Sequence, residues 1–116
     1  MISLNWVKNA QNQWLQFEAL NLSTVPTSAS GVYIIWHAGN PGKTVKVGQG
    51  NIYDRLCAHR NDPYIMAYRS QGTLHVTWAI VPAAQLDGVE RYLGNYYKPL
   101  VGDRFPDALP LAVNLP

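Results

Sequence analysis

Five side chains in this 116-residue chain are of types that together can break a phosphate ester: Tyr33, Lys46, Arg55, His59 and Glu90. Hydrolysing a phosphodiester needs a group that activates water, a cation that offsets charge on the non-bridging oxygens, and help for the leaving oxygen. Arg55 suits a phosphate because its planar fork donates two parallel hydrogen bonds. Glu90 is able to hold a Mg²⁺ or Mn²⁺ ion that keeps most of its waters, since such sites use only one or two carboxylates. Tyr33, with His59 nearby, is suited to take the proton from the attacking water. Each residue also has an ordinary reading. Arg55 then is an exposed helix charge, Glu90 its distant partner, and Tyr33 a strand residue that packs its ring.

Positioning all of these groups but Glu90 falls to one stretch, residues 30–60. Gly31 to His37 is β-branched and aromatic and reads as a strand. Ala38 to Lys43 supplies turn chemistry, and Thr44 to Gly48 resumes an extended pattern, so the two halves form a hairpin. With an even loop, Tyr33 and Lys46 share a face, because side chains alternate with period two. A cation there favours the phenolate and lowers the Tyr33 pKa; the alternatives are that Lys46 only contacts a substrate phosphate or that His59 is the base. Asn51 is placed to cap a helix running to about Arg60, with Asp54 in its first turn and Ile52 and Leu56 spaced i,i+4. Arg55 and His59 repeat that spacing on a neighbouring stripe. Gly48 and Gly50 allow close approach of a ligand or of the helix.

Downstream, Asn61-Asp62-Pro63 stops the helix and Tyr64 to Ser70 forms a short helical or irregular connector. Thr73 to Val81 is a strand with Leu74, Val76, Trp78 and Ile80 on one face. His75, on the other face, reads as a strand-surface histidine. Pro82-Ala83-Ala84 opens a second helix whose buried stripe is Leu86, Val89, Leu93 and Tyr96 or Tyr97. Glu90 lies beside that stripe, and a carboxylate there calls for a nearby cation, either Arg55 or a metal.

These residues resemble the GIY-YIG nucleases. Gly31-Val32-Tyr33 matches the GIY element, Lys46-Val47-Gly48 stands where YIG belongs, and Arg55 with His59 matches the Arg-Leu-x-x-His helix pattern. Val89-Glu90-Arg91-Tyr92-Leu93 and Lys98-Pro99-Leu100 complete the pattern, so the resemblance covers about 31–102 of a single domain, 1–116. It implies a Mg²⁺-dependent endonuclease acting on DNA. In that family the tyrosine lies near the attacking water, the arginine contacts the scissile phosphate and the glutamate binds the metal. It also implies an α+β fold with a small three-stranded antiparallel sheet flanked by helices. The β-β-α-β-α order read from residues 31–98 agrees, with an N-terminal extension and an extended C-terminal tail added. Two positions depart from the pattern. Lys46 replaces the second tyrosine, and Gly102 stands about where an asparagine is usual, leaving Asp103 or Asn114 to supply that group.

Lys43, Gln49, Arg60, Arg69 and Asn114 complete the expected substrate contacts. Related nucleases often owe target choice to an attached domain, so cleavage here is expected to have low intrinsic sequence specificity. A runner-up reading keeps the fold as a catalytically weak or inactive nucleic-acid-binding module. A third is a protein-interaction domain using tyrosines 64, 68, 92, 96 and 97. A net charge of +2 and a pI near 8.8 permit nucleic acid without demanding it. The single cysteine, Cys57, excludes an internal disulfide and a thiolate-rich zinc site. No signal peptide or membrane span is evident, so a cytoplasmic protein is expected. Residues 1–30 fit either a short helix or a short strand. Their Trp6 and Trp14 are read as packing residues over the back of the hairpin, with base stacking as the alternative.

Overall fold

In the computed structural model, which describes residues 1–102 and 104–116, four antiparallel strands form one sheet. They are β1 (Leu15–Gln16), β2 (Ser30–His37), β3 (Lys43–Asn51) and β4 (Leu74–Ile80), in the spatial order β1-β4-β2-β3. The helices are α1 (Ile52–Arg60), α2 (Pro63–Met66) and α3 (Leu86–Tyr97). No helix among the described residues is long and apolar enough to cross a membrane.

The sheet therefore has four strands rather than the expected three. The fourth comes from the N-terminal extension, where Leu15 and Gln16 pair with Val76 and His75. Val7 also donates its N–H to the Trp78 carbonyl and Phe17 to that of Leu74, so the extension lines the outer edge of β4. That edge would otherwise present unpaired backbone groups.

Helices cover both sheet faces, which explains why the run of buried residues in β2 is continuous and not alternating. On one face Tyr33, Ile35, Leu74, Val76 and Trp78 pack with Phe17, Ile52, Leu56 and Ile65. On the other Val32, Ile34, Val47 and Ala79 pack with Val89 and Leu93 of α3 and with Leu4 and Val113 from the chain ends. Trp6 joins this second face and Trp14 meets Trp36 of β2 edge-on at 5.6 Å, but the extension that carries them runs along the outer edge of β4 and not over the back of the hairpin.

The hairpin reaches the expected facing by a different route. Its loop, residues 38–42, has an odd number of residues, and pairing begins with His37 opposite Lys43 and Trp36 opposite Thr44. Continued unbroken, that register would turn Lys46 to the opposite face from Tyr33. A bulge at Val45 shifts the register, so that Ile35 pairs with Lys46 and Tyr33 with Gly48. Lys46 and Tyr33 thereby share the α1 face.

Candidate active site

The cluster forms along β3, an edge strand of the sheet, where α1 meets it from one face and α3 from the other. Asn51 ends β3 and starts α1: its side chain accepts the Asp54 N–H at 2.9 Å, which fixes the rotation of the helix. Ile52, Leu56 and His59 then point inward while Arg55 lies at the margin of that stripe. On α3 the inward residues are Val89, Leu93 and, beside them, Glu90.

At the centre, the Tyr33 hydroxyl and His59 Nε2 lie 2.5 Å apart, both side chains buried. Gly48 makes this possible. A Cβ there would collide with Tyr33 Oη, so only a residue without a side chain lets the phenol run across β3. The close approach expected of this glycine is thus used by Tyr33. Gly50, at φ +129°, holds the left-handed backbone that turns the strand into the helix.

The ionisation states follow from burial and from two cations. Desolvation pushes the His59 pKa down to about 4, with Arg55 and Lys46 adding to the effect, so the imidazole is uncharged at neutral pH, and in the tautomer protonated at Nδ1 its Nε2 accepts the phenolic hydrogen. Burial raises the Tyr33 pKa above its ordinary value, and the adjacent Arg55 guanidinium only partly offsets this. The expectation that Lys46 lowers the Tyr33 pKa is corrected here. Burial outweighs every cation, and the cation beside the phenol is Arg55. Lys46 acts instead on His59 and on Glu90, with its ammonium close against Gly102. Burial also raises the Glu90 pKa, opposed by the Gln49 amide and by the Lys46 charge.

All five expected catalytic residues therefore come together, and Gln49 joins them. Sequence reasoning missed Asp87, which accepts a hydrogen bond from Gln49 Nε2 at 2.8 Å and adds negative charge beside Glu90. The available signal was the i,i+3 spacing of Asp87 and Glu90 on one helix.

Other expected substrate contacts have different work. Arg60 donates to the carbonyls of Phe17 and Leu20 and stacks on the Phe17 ring, fastening the N-terminal extension to α1. Arg69 pairs with Glu18 at 3.7 Å. Asn114 is spent on the backbone of Leu4, donating to its carbonyl at 2.9 Å and accepting its N–H at 2.5 Å. It ties the two chain ends together and does not supply the missing asparagine. Asp103, the other candidate for that group, lies outside the described residues. Lys43 is exposed at the start of β3, paired across the hairpin with His37. Of the five tyrosines considered for a protein interface, only Tyr64 and Tyr96 are broadly exposed.

A divalent cation fits the donor set. Glu90 is a buried carboxylate, yet the only ion pair within 4.0 Å among the described residues is that of Arg69 with Glu18. No group of three or more acidic, histidine or cysteine ligands occurs among the described residues. What the cluster offers is Glu90, with Asp87 one turn earlier, the sparse carboxylate set that suits a largely hydrated Mg²⁺ or Mn²⁺.

Comparison with known proteins gives no match: no family model, no curated protein and no solved structure corresponds to this chain.

Proposed function

We propose that the protein is a divalent-metal-dependent endonuclease that hydrolyses DNA phosphodiester bonds with low intrinsic sequence specificity, as the resemblance to the GIY-YIG nucleases implies. The observation that carries this reading is the buried 2.5 Å contact between Tyr33 and an uncharged His59, with Arg55 against the phenol.

That arrangement supplies a proton relay. As the water oxygen bonds to phosphorus, its proton passes to Tyr33 Oη while the phenolic proton passes to His59 Nε2; with its pKa held near 4, the imidazolium so formed is short-lived and gives its proton up to solvent, so no free phenolate is needed. The bond from phosphorus to the leaving oxygen breaks, and that oxygen takes its proton from solvent. Arg55, at the margin of α1 and against the phenol, has further N–H groups to donate to the non-bridging oxygens. Glu90, with Asp87, would hold the Mg²⁺ or Mn²⁺ ion, which when bound supplies further positive charge at the phosphate. The polar groups of the cluster are cations and carboxylates, which engage the phosphate backbone and carry little sequence information.

The test is incubation with single-stranded, duplex and branched DNA, with and without Mg²⁺. Glu90→Gln preserves shape and removes the charge that holds the metal, and Arg55→Ala removes the phosphate clamp. Each is expected to lower the single-turnover rate by about 100-fold or more with folding intact by circular dichroism. Undiminished cleavage by both variants would identify a contaminant and overturn the reading. DNA binding without cleavage under any divalent ion would favour the inactive-module alternative.

A further inference from the structure

On the sheet face opposite Tyr33, a groove of about 730 Å³ has Trp14, Trp36, Tyr96 and Tyr97 in its walls, with Lys43 and Lys98 beside them. Among the described residues, no aspartate or glutamate lines it. A third cation, Lys8 Nζ, sits 4.4 Å from the centre of the Trp14 ring. Trp14 meets Trp36 at 86° and Tyr96 meets Tyr97 at 80°, while His75 stacks on Trp36 with ring centres 5.6 Å apart, so a base would stack on the ring faces that Lys8 and His75 leave open. The catalytic relay uses none of these residues. Tyr96 is 60% exposed, and Trp14, Trp36 and Tyr97 are half-buried along the groove.

We infer that this groove binds a single-stranded nucleic-acid segment, stacking its bases on the tryptophans and tyrosines and setting its phosphates against Lys43 and Lys98. Aromatic faces combined with cations form the sequence-tolerant platform that single strands require. Charge favours an anionic ligand, since the ionisable side chains on the described groove wall other than tyrosine are Lys43 and Lys98. A duplex hides its base faces within its own stack and cannot use the rings. The inference deepens the proposed nuclease function and rests on it for the choice of nucleic acid.

The groove connects to the cluster along the chain. Leu100 and Val101 donate to the Thr44 and Val45 carbonyls, so this segment runs beside the first part of β3. Lys98 is in the groove, while Gly102 lies against Lys46. Four residue steps span at most about 14 Å. A short oligonucleotide is able to occupy both places, held by the groove and presented to Arg55 and Glu90. Cleavage would then favour substrates with a single-stranded flank.

The experiment follows tryptophan fluorescence of the Glu90→Gln protein, which separates binding from cleavage, during titration with a 12-nucleotide oligothymidylate. A duplex and an abasic oligomer of equal length serve as comparisons. Quenching is expected with the oligothymidylate and at least about fivefold weaker affinity with the other two. Trp14→Leu should weaken the oligothymidylate by a similar factor and leave the abasic oligomer unchanged. The Lys43→Gln/Lys98→Gln double variant, changed only at exposed positions, should reduce the slope of log affinity against log salt by about 1.4. Equal binding by duplex, abasic oligomer and oligothymidylate would overturn the stacking role. Unchanged affinity and salt slope in the double variant would overturn the groove as the site. Either result alongside Glu90-dependent cleavage defeats this inference alone, whereas intact groove binding with no cleavage by the wild type defeats the nuclease reading alone.

Discussion

Replacing His59 by glutamine should flatten the acid-side stability profile of the protein. His59 is only 5% exposed, and its pKa falls from an ordinary 6.5 to about 4 in the folded chain. The unfolded chain therefore binds a proton at this site near pH 6.5 and the native chain only near pH 4. Between those values the unfolded state holds more protons, so stability falls as pH falls. At pH 5 the difference amounts to about 2 kcal/mol, approaching a ceiling of about 3.4 kcal/mol below pH 4. Glu90 works in the opposite direction, because its raised pKa makes the native state protonate first on acidification. The His59→Gln variant retains Glu90, so subtracting the two profiles isolates the histidine. Its side-chain amide would keep an acceptor for the Tyr33 hydroxyl, which limits collateral damage. Urea unfolding of both proteins at pH 8, 7, 6 and 5 provides the measurement. Wild type should lose about 2 kcal/mol more than the variant between pH 8 and pH 5. Parallel profiles would mean that His59 is not held uncharged, and the proton relay from Tyr33 would fail with it.

Tyr33→Phe should lower the single-turnover rate by about 100-fold or more and cost about 1–2 kcal/mol, since it leaves His59 Nε2 buried without its 2.5 Å partner; a rate within tenfold of wild type would exclude the phenol from the chemistry. Gly48→Ala should abolish activity and destabilise by about 1–3 kcal/mol, because the new Cβ would overlap Tyr33 Oη. Full activity in that variant would show that the phenol need not cross β3. Arg60→Ala should cost about 3 kcal/mol in urea unfolding and expose residues 1–20 to limited proteolysis, as the contacts to Phe17 and Leu20 are lost. DNA affinity should stay within about threefold, and a steep loss with an unchanged unfolding midpoint would return Arg60 to the substrate.

The elements that carry the cluster were legible because their signals are local. Asn51, Asp54 and the Ile52/Leu56 spacing determine a capped helix from within a few residues, and the Arg55/His59 spacing places both side chains on it. Likewise the β-branched run of β2 and the apolar stripe of α3 determine their own secondary structure, and with it the inward course of Glu90.

What only the tertiary structure decided depends on long-range contacts. The strand β1 is two residues long and exists because the β4 edge offers backbone partners, and no periodicity over Leu15–Gln16 announces it. Lys46 shares the Tyr33 face because a single bulged residue, Val45, compensates an odd loop, and the bulge leaves no mark in residue type. The ionisation states also belong to the folded chain. Tyr33 lies on a strand and His59 on a helix 26 residues later, and only their common burial keeps one protonated and the other uncharged. Arg60 and Asn114 carry the residue types of substrate contacts, yet packing assigns them to the terminal segments, because each meets backbone groups distant in sequence and hydrogen-bonds to them. Residue type and spacing determined which groups were available for chemistry. The long-range contacts of the sheet determined which of them meet.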